Sequence, residues 1–156
     1  MAAEVFSSLH IVLPVIVGLI IGLIEVYFIY EDEGSSGLNG FFSKVWHGII
    51  FSILGVLIVT NIPYIISMGF LPSFLEGWLF IDSNGISLVV CIIVALFMFI
   101  KIDMAHRMKG VGGSGFIEKP WHKLIIAFAI GFAPYYIIYV YPLLLPVQEI
   151  VPWIPF

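Results

Sequence analysis

Residues 11–24 read IVLPVIVGLIIGLI, and this stretch decides what kind of protein the chain is. It belongs to an apolar run over about 9–30 in which Glu25 is the only charged residue. A helix needs about 20 such residues to cross the hydrocarbon core of a bilayer. The run lacks the period-two alternation of a lipid-facing β-barrel strand. It therefore predicts a transmembrane helix, because backbone groups in lipid must be hydrogen-bonded within their own element.

The composition of the whole chain indicates the same class. Of 156 residues, 62% are hydrophobic and 10% are charged, and the mean hydropathy is +1.16. A soluble domain carries roughly 25% charged residues, so this chain could not cover a soluble globule with polar surface. We expect the lipid bilayer as its first partner and one integral membrane domain over residues 1–156. Six Lys and Arg residues are too few for a nucleic-acid-binding surface.

Four apolar segments are each long enough to span the bilayer as a helix. The sequence thus predicts an all-α, multi-pass membrane protein with four transmembrane helices. Proline bends a helix because it lacks the N–H donor and crowds the preceding turn, so Pro63 and Pro134 predict kinks in the second and fourth helices. The four segments cover about 9–30, 46–68, 85–104 and 121–145.

A short polar motif occurs twice in the chain. Residues 37–47 read GLNGFFSKVWH and residues 112–122 read GGSGFIEKPWH, with six of the eleven positions identical. Self-similarity at a fixed spacing indicates repeated architecture. We predict two tandem helical hairpins as a parallel repeat, repeat 1 over about 9–68 and repeat 2 over about 85–145. Residues 146–156 form a tail rich in proline and aromatic residues.

The basic residues predict the orientation of the chain in the membrane. Loops that carry Lys and Arg stay on the cytoplasmic side. We therefore expect loops 31–45 and 105–120 in the cytoplasm and both termini outside, in a cell membrane. The basic residues that decide this are Lys44, Lys101, Arg107, Lys109, Lys119 and Lys123.

Small and charged residues inside the predicted helices suggest specific contacts. Gly18 and Gly22 form a small-xxx-small pair that allows close helix approach, either within this bundle or with another subunit. Glu25 is the only acid well inside an apolar run, and an intramembrane acid is a functional candidate by default. Under the repeat offset it lies at the depth of Lys101, so we predict an ion pair. The alternatives are a solitary proton-carrying carboxylate and a carboxylate bonded to local hydroxyl groups or water.

The Trp-His pairs of the repeat could carry a metal site. His47 and His122 both begin an inward-to-outward helix at equal predicted depth, so they could ligate a haem iron or form half of a metal site. With Glu31, Asp32 and Glu33 at the end of the first helix, and with Asp103, His106 and Glu118 near the end of the third, they could also bind a cation. The alternatives are an interfacial anchor for the Trp-His pairs and a solvated loop for the acids. The chain has no Cys-x-x-Cys-His or His-Glu-x-x-His motif.

The second loop and the C-terminal tail are unusually apolar for connections. Tryptophan and phenylalanine at such positions contact the membrane interface or a partner protein. The residues that we expect to make these contacts are Phe74, Trp78, Phe80, Trp153 and Phe156.

Three functions are compatible with these features. No Ser-His-Asp, Cys-His or paired-carboxylate constellation is visible within the membrane segments, so we predict no catalysis by this chain alone and no cofactor. The first function is a structural or accessory subunit of a larger membrane complex, with other membrane subunits as partners. The second is a small oligomeric transporter or channel. The third is a haem or metal protein that uses His47 and His122.

Overall fold

The computed structural model describes residues 9–33, 41–69, 78–82, 85–107 and 119–150. In this part of the chain the protein is all-helical, with five helices and one isolated antiparallel bridge between Ile81 and Ser87. The predicted all-α class is confirmed for these residues. In chain order the helices are α1 (Val12–Glu33), α2 (Phe41–Ser67), α3 (Leu88–Arg107), α4 (Pro120–Gly131) and α5 (Ala133–Ile150).

The helices associate mainly as two consecutive pairs. Helix α1 packs most extensively on α2, and α3 packs most extensively on α4. Weaker contacts of α4 and α5 with α1 and α2 join the two pairs. The end of the bundle at which α1 finishes and α4 begins is called the Asp32 end, and the opposite end is called the His10 end.

Two of the described helices are long and apolar enough to cross a membrane, over Val12–Asp32 and Val45–Ile66. The segments Pro120–Gly131 and Ala133–Leu143 meet at an angle of 63° and would form a third span if they cross together. A membrane helical protein is therefore consistent with the structure at the level of two or three spans. The count of four spans stays a prediction.

The two prolines behave differently. Helix α2 continues through Pro63 to Ser67. The fourth predicted segment is instead interrupted just before Pro134, where Phe132 leaves helical geometry with φ −98° and ψ 13°. The hydroxyl group of Tyr136 donates to the carbonyl oxygen of Ala129 across this break, at 2.6 Å. This hydrogen bond stabilises the bend, because the carbonyl oxygen of Ala129 would otherwise have no partner in an apolar environment.

Glycines set the closeness of both helix pairs. A Cβ atom added at Gly18 would lie 2.5 Å from Cα of Ile53, and one added at Gly22 would lie 2.7 Å from Cα of Ile49. The two glycines singled out in the sequence therefore face α2 of the same chain. Gly131 acts similarly between α4 and α3, because an added Cβ would lie 2.6 Å from the carbonyl oxygen of Cys91.

An apolar layer lies between the two ends of the bundle. Val56 and Ile130 are completely buried in it. A Cβ atom added at Gly55 would lie 2.6 Å from Cγ2 of Ile130 and 3.5 Å from Sδ of Met98, so α2, α3 and α4 meet here without space between them. The buried polar groups described below lie on either side of this layer.

Candidate functional site

The most developed polar constellation lies at the Asp32 end. The Asp32–His122 cluster consists of Glu31 and Asp32 at the end of α1, with Lys119 and His122 at the start of α4. Nδ1 of His122 lies 2.6 Å from Oδ2 of Asp32. Nζ of Lys119 lies 3.0 Å from Oε1 of Glu31 and 3.4 Å from Oδ1 of Asp32. The cluster therefore joins the two helix pairs by charge at this end.

The cluster has a buried half and an exposed half. The side chains of His122 and Asp32 are 0% and 2% exposed, whereas those of Lys119 and Glu31 are 47% and 41% exposed. The imidazole ring of His122 stacks on Phe28 with ring centroids 4.1 Å apart and planes 7° from parallel. Hydrogen bonding to the Glu31 carboxylate raises the pKa of the Lys119 ammonium group. Breaking the buried pair of Asp32 and His122 should therefore lower the free energy of unfolding more than breaking the exposed pair of Glu31 and Lys119.

The contacts of His122 define the role of each ring nitrogen. Asp32 holds Nδ1, which is the position where a carboxylate fixes the tautomer of an imidazole ring. Within the described residues, Nε2 of His122 is buried and has no hydrogen-bond partner, whereas buried Oδ1 of Asp32 has only the 3.4 Å ion pair with Lys119. Chemically, Nε2 can bind a proton or a metal ion. Asp32, which pairs with His122, belongs to the acidic cluster that the sequence suggested as part of a cation site.

His47 lies in a different environment from its counterpart in the motif. Its side chain is exposed on α2, with the ring centroid 6.3 Å from that of Phe51. Among the residues that the structure describes, no three His, Cys, Asp or Glu side chains are grouped so that they could hold a metal ion. A metal site shared by His47 and His122 has no test here and stays a prediction.

A second ion pair, between buried Lys123 and partly exposed Asp103, was missed by the sequence analysis. Lys123 is buried, and its Nζ lies 2.8 Å from Oδ1 of Asp103, which links α4 to α3. The available signal was the placement of opposite charges at the facing ends of two consecutive helices. In the sequence, Lys123 contributes only to the predicted orientation of the chain.

Glu25 lies inside the α1–α2 interface and is only 5% exposed. The hydroxyl group of Ser52 donates to its Oε2 at 3.0 Å. A Cβ atom added at Gly48 would lie 3.0 Å from the carboxyl carbon, so this glycine makes room for the carboxylate. Lys101 places its Nζ 4.7 Å from the ring centroid of Phe51, the residue before Ser52. The predicted ion pair between Glu25 and Lys101 is not tested by these contacts.

Substitutions on α2 should distinguish a buried hydroxyl group that stabilises the fold from one that destabilises it. We expect Ser52→Ala to lower the free energy of unfolding by about 2 kcal/mol, because it removes a hydrogen bond to a buried acidic group. Thr60→Val should instead raise stability by about 1 kcal/mol, since Oγ1 of Thr60 is buried without a hydrogen-bond partner in the described part of the chain. Reversible unfolding in mixed micelles measures both. Equal effects of the two substitutions would contradict the assignment.

The His10 end contains a backbone clamp that the sequence analysis also missed. The side-chain amide of Asn61 accepts from the backbone N–H of His10 at 2.8 Å and donates to its carbonyl oxygen at 2.7 Å. The ring of His10 meets that of Tyr141 edge to face, with centroids 6.0 Å apart. Asn61 therefore ties the segment before α1 to α2, and α5 covers that junction.

An apolar groove runs along the surface between α3 and α4. The small, buried side chains of Ala95 and Ala127 form its floor, and larger side chains form its rims. The groove encloses a volume of about 180 Å³. The surface that lines it is almost entirely apolar. The rim residues are Ile92, Leu96, Phe99, Leu124 and Phe128.

The predicted contact residues are only partly described. Trp78 and Phe80 are 77% and 70% exposed. Phe74, Trp153 and Phe156 lie outside the described residues.

No protein-family model, curated protein or solved structure matches this chain. Functional conclusions therefore rest on the chain's own geometry.

Proposed function

We propose that this protein is a non-catalytic structural or accessory subunit of a larger integral membrane complex. The observation that carries the proposal is the apolar groove between α3 and α4. Helices in lipid associate by close packing, and small residues at the contact allow their backbones to approach. The alanine floor and bulky rims of the groove fit the side chains of a transmembrane helix from another subunit.

The buried polar residues support a structural role. Asp32 with His122, Asp103 with Lys123, and Glu25 with Ser52 each connect two helices of the chain. Polar pairs between helices hold them in one arrangement, because each group would otherwise be left unpaired in an apolar environment. These contacts are those expected of a stable building block.

The membrane topology belongs to the same proposal. We infer four spans in a cell membrane, with α3 as the third span and α4 together with α5 as the fourth. The basic residues put the Asp32 end in the cytoplasm and both termini outside. Two hairpins of like orientation would form the parallel repeat that the duplicated motif suggests. The exposed Trp46 and Trp121 support this correspondence, whereas exposed His47 and buried His122 depart from it.

Photo-crosslinking combined with native mass spectrometry tests the proposal. A photoreactive amino acid replaces Leu96 at the rim of the groove, and the control replaces Leu23, which is similarly exposed on α1. We expect the native mass of a hetero-complex with a fixed ratio of chains, and a crosslink to that partner from position 96 but not from position 23. A monomer or a homo-oligomer in membranes from the native source would contradict the proposal.

A second candidate function is transport by an oligomer of this chain. Glu25, buried within a candidate span, and the bent α4–α5 segment favour it, since transporters place ion sites at interrupted helices. The apolar layer at Val56 and Ile130 argues against a path through a single copy. A homo-oligomer whose liposome flux is abolished by Glu25→Gln would support this function.

A further inference from the structure

The connection between α2 and α3 contains a compact turn with two large exposed aromatic side chains. The aromatic turn comprises residues 78–82 and 85–87. Trp78 and Phe80 are the most exposed large side chains within it. It lies between the end of α2 at Ser67 and the start of α3 at Leu88.

The backbone of the aromatic turn is closed by its own hydrogen bonds. The backbone N–H groups of Asp82 and Gly85 donate to the carbonyl oxygens of Ile86 and Asp82, at 2.9 and 3.0 Å. The Asp82 carboxylate accepts from the N–H of Ile86 at 2.9 Å. Closure of this kind lowers the energetic penalty of moving a loop out of water, because fewer backbone groups are left unpaired.

Ser87 couples the aromatic turn to α3. Its hydroxyl group donates to the carbonyl oxygen of Leu79. The Oγ atom of Ser87 also accepts from the backbone N–H of Val90 at 3.3 Å, as the side chain of an N-cap residue does. The position of the turn is therefore tied to the first turn of α3.

Phe80 adopts a backbone conformation that is unfavourable for a bulky residue. Its φ angle is +45°, in the left-handed region, which costs an L-residue roughly 1–2 kcal/mol. Strain of this size persists where the surroundings impose it, and it occurs often at functional positions. Here the strained residue presents its ring on the surface instead of burying it in the core.

The length of α2 relates the aromatic turn to the other end of the bundle. From Trp46 to Ser67 the helix advances about 32 Å at 1.5 Å per residue. This distance is close to the roughly 30 Å of the hydrocarbon core. Trp46 and Trp121 are exposed at the Asp32 end. When these two rings lie at one membrane boundary, the aromatic turn reaches the other.

We propose that the aromatic turn is a membrane anchor that inserts Trp78 and Phe80 into the interfacial region of the bilayer at the His10 end. Tryptophan favours this region because its ring is apolar while its indole N–H remains hydrogen-bonded. The closed backbone and the outward-facing rings suit this environment. The ligand of the turn is the headgroup and upper acyl-chain region of a phospholipid leaflet.

Depth-dependent fluorescence quenching tests the anchor. The full-length variant W46F/W121F/W153F keeps Trp78 as its only tryptophan. It is reconstituted into phosphatidylcholine vesicles whose acyl chains carry bromine either near the headgroup or near the methyl end. We expect bromine near the headgroup to quench Trp78 more strongly than bromine near the methyl end. Acrylamide in the aqueous phase should quench it only weakly.

Two outcomes would overturn the proposal. Trp78 that is quenched by acrylamide and by neither brominated lipid would project into water, as a surface for a protein partner does. Trp78 quenched more strongly by bromine near the methyl end would lie too deep for an interfacial anchor. If the triple variant fails to fold, the difference between wild-type protein and W78F in the same vesicles gives the Trp78 signal. Circular dichroism confirms that both proteins are helical.

Discussion

Gly18→Ala is expected to lower the free energy of unfolding by about 3 kcal/mol, at the upper end of the range for overpacking. The added Cβ would lie 2.5 Å from Cα of Ile53 and 3.0 Å from the carbonyl oxygen of Ser52. These are backbone atoms and cannot rotate away, so α1 and α2 must move apart. Ser52 would then move away from Glu25, and their hydrogen bond would weaken too.

Reversible unfolding in mixed micelles, followed by circular dichroism, measures the effect of Gly18→Ala. The matched control is Ile20→Ala, two residues along the same helix, where the side chain is 52% exposed on the bundle surface. The control should change stability only slightly, because that side chain lies largely outside the bundle core. Similar stabilities of the two variants would show that α1 and α2 do not approach as closely as the structure has them.

Asp32→Ala is expected to destabilise the protein by about 3–5 kcal/mol, the loss typical of breaking a buried pair on one side. The substitution leaves the imidazole ring of His122 completely buried with its Nδ1 position unpaired. It also removes a direct contact between the two helix pairs at the Asp32 end. Unfolding in mixed micelles again provides the measurement.

The neighbouring acid supplies the control for Asp32→Ala. Glu31 pairs with Lys119, but both side chains are well exposed, so Glu31→Ala should cause a much smaller loss. In a double-mutant cycle, Asp32→Ala combined with His122→Phe should cost less than the sum of the single changes, because the double variant leaves no buried imidazole without its carboxylate partner. Additive effects, or equal losses at positions 31 and 32, would contradict a buried pair.

Several features of the fold could be predicted from the sequence. Apolar runs of about 20 residues leave few alternatives to a membrane helix, since lipid requires every backbone group to be paired locally. The spacing of Gly18 and Gly22 predicted a close helix contact, but it did not indicate which helix they would face.

The polar contacts between helices could not be predicted from the sequence in the same way. Asp32 and His122 are 90 residues apart in the chain, and both were compatible with solvated positions near helix ends. Their pairing depends on how the second helix pair is rotated against the first. Equivalent positions of the repeat motif then differ, because His122 faces α1 while His47 faces the surface.

The helix break at Phe132 was also only partly predictable, because the sequence indicates where a helix is perturbed but not how far it bends. The sequence indicated perturbed helices at Pro63 and Pro134 by one local rule, the missing N–H donor of proline. Whether the chain bends slightly or starts a new helix depends on neighbours that can pair the freed backbone groups. Tyr136 pairs with Ala129 across the break, and α5 can then turn away over the His10 end.

The helix content and the prediction of a membrane protein therefore follow from the sequence alone, because the composition of each segment decides locally whether its backbone can be buried in lipid. Tertiary structure decides which polar side chains become buried pairs, which surface keeps a groove, and where the fourth segment bends. These properties depend on contacts between residues far apart in the chain, and the energies of such contacts are set by relative helix rotation and not by local composition.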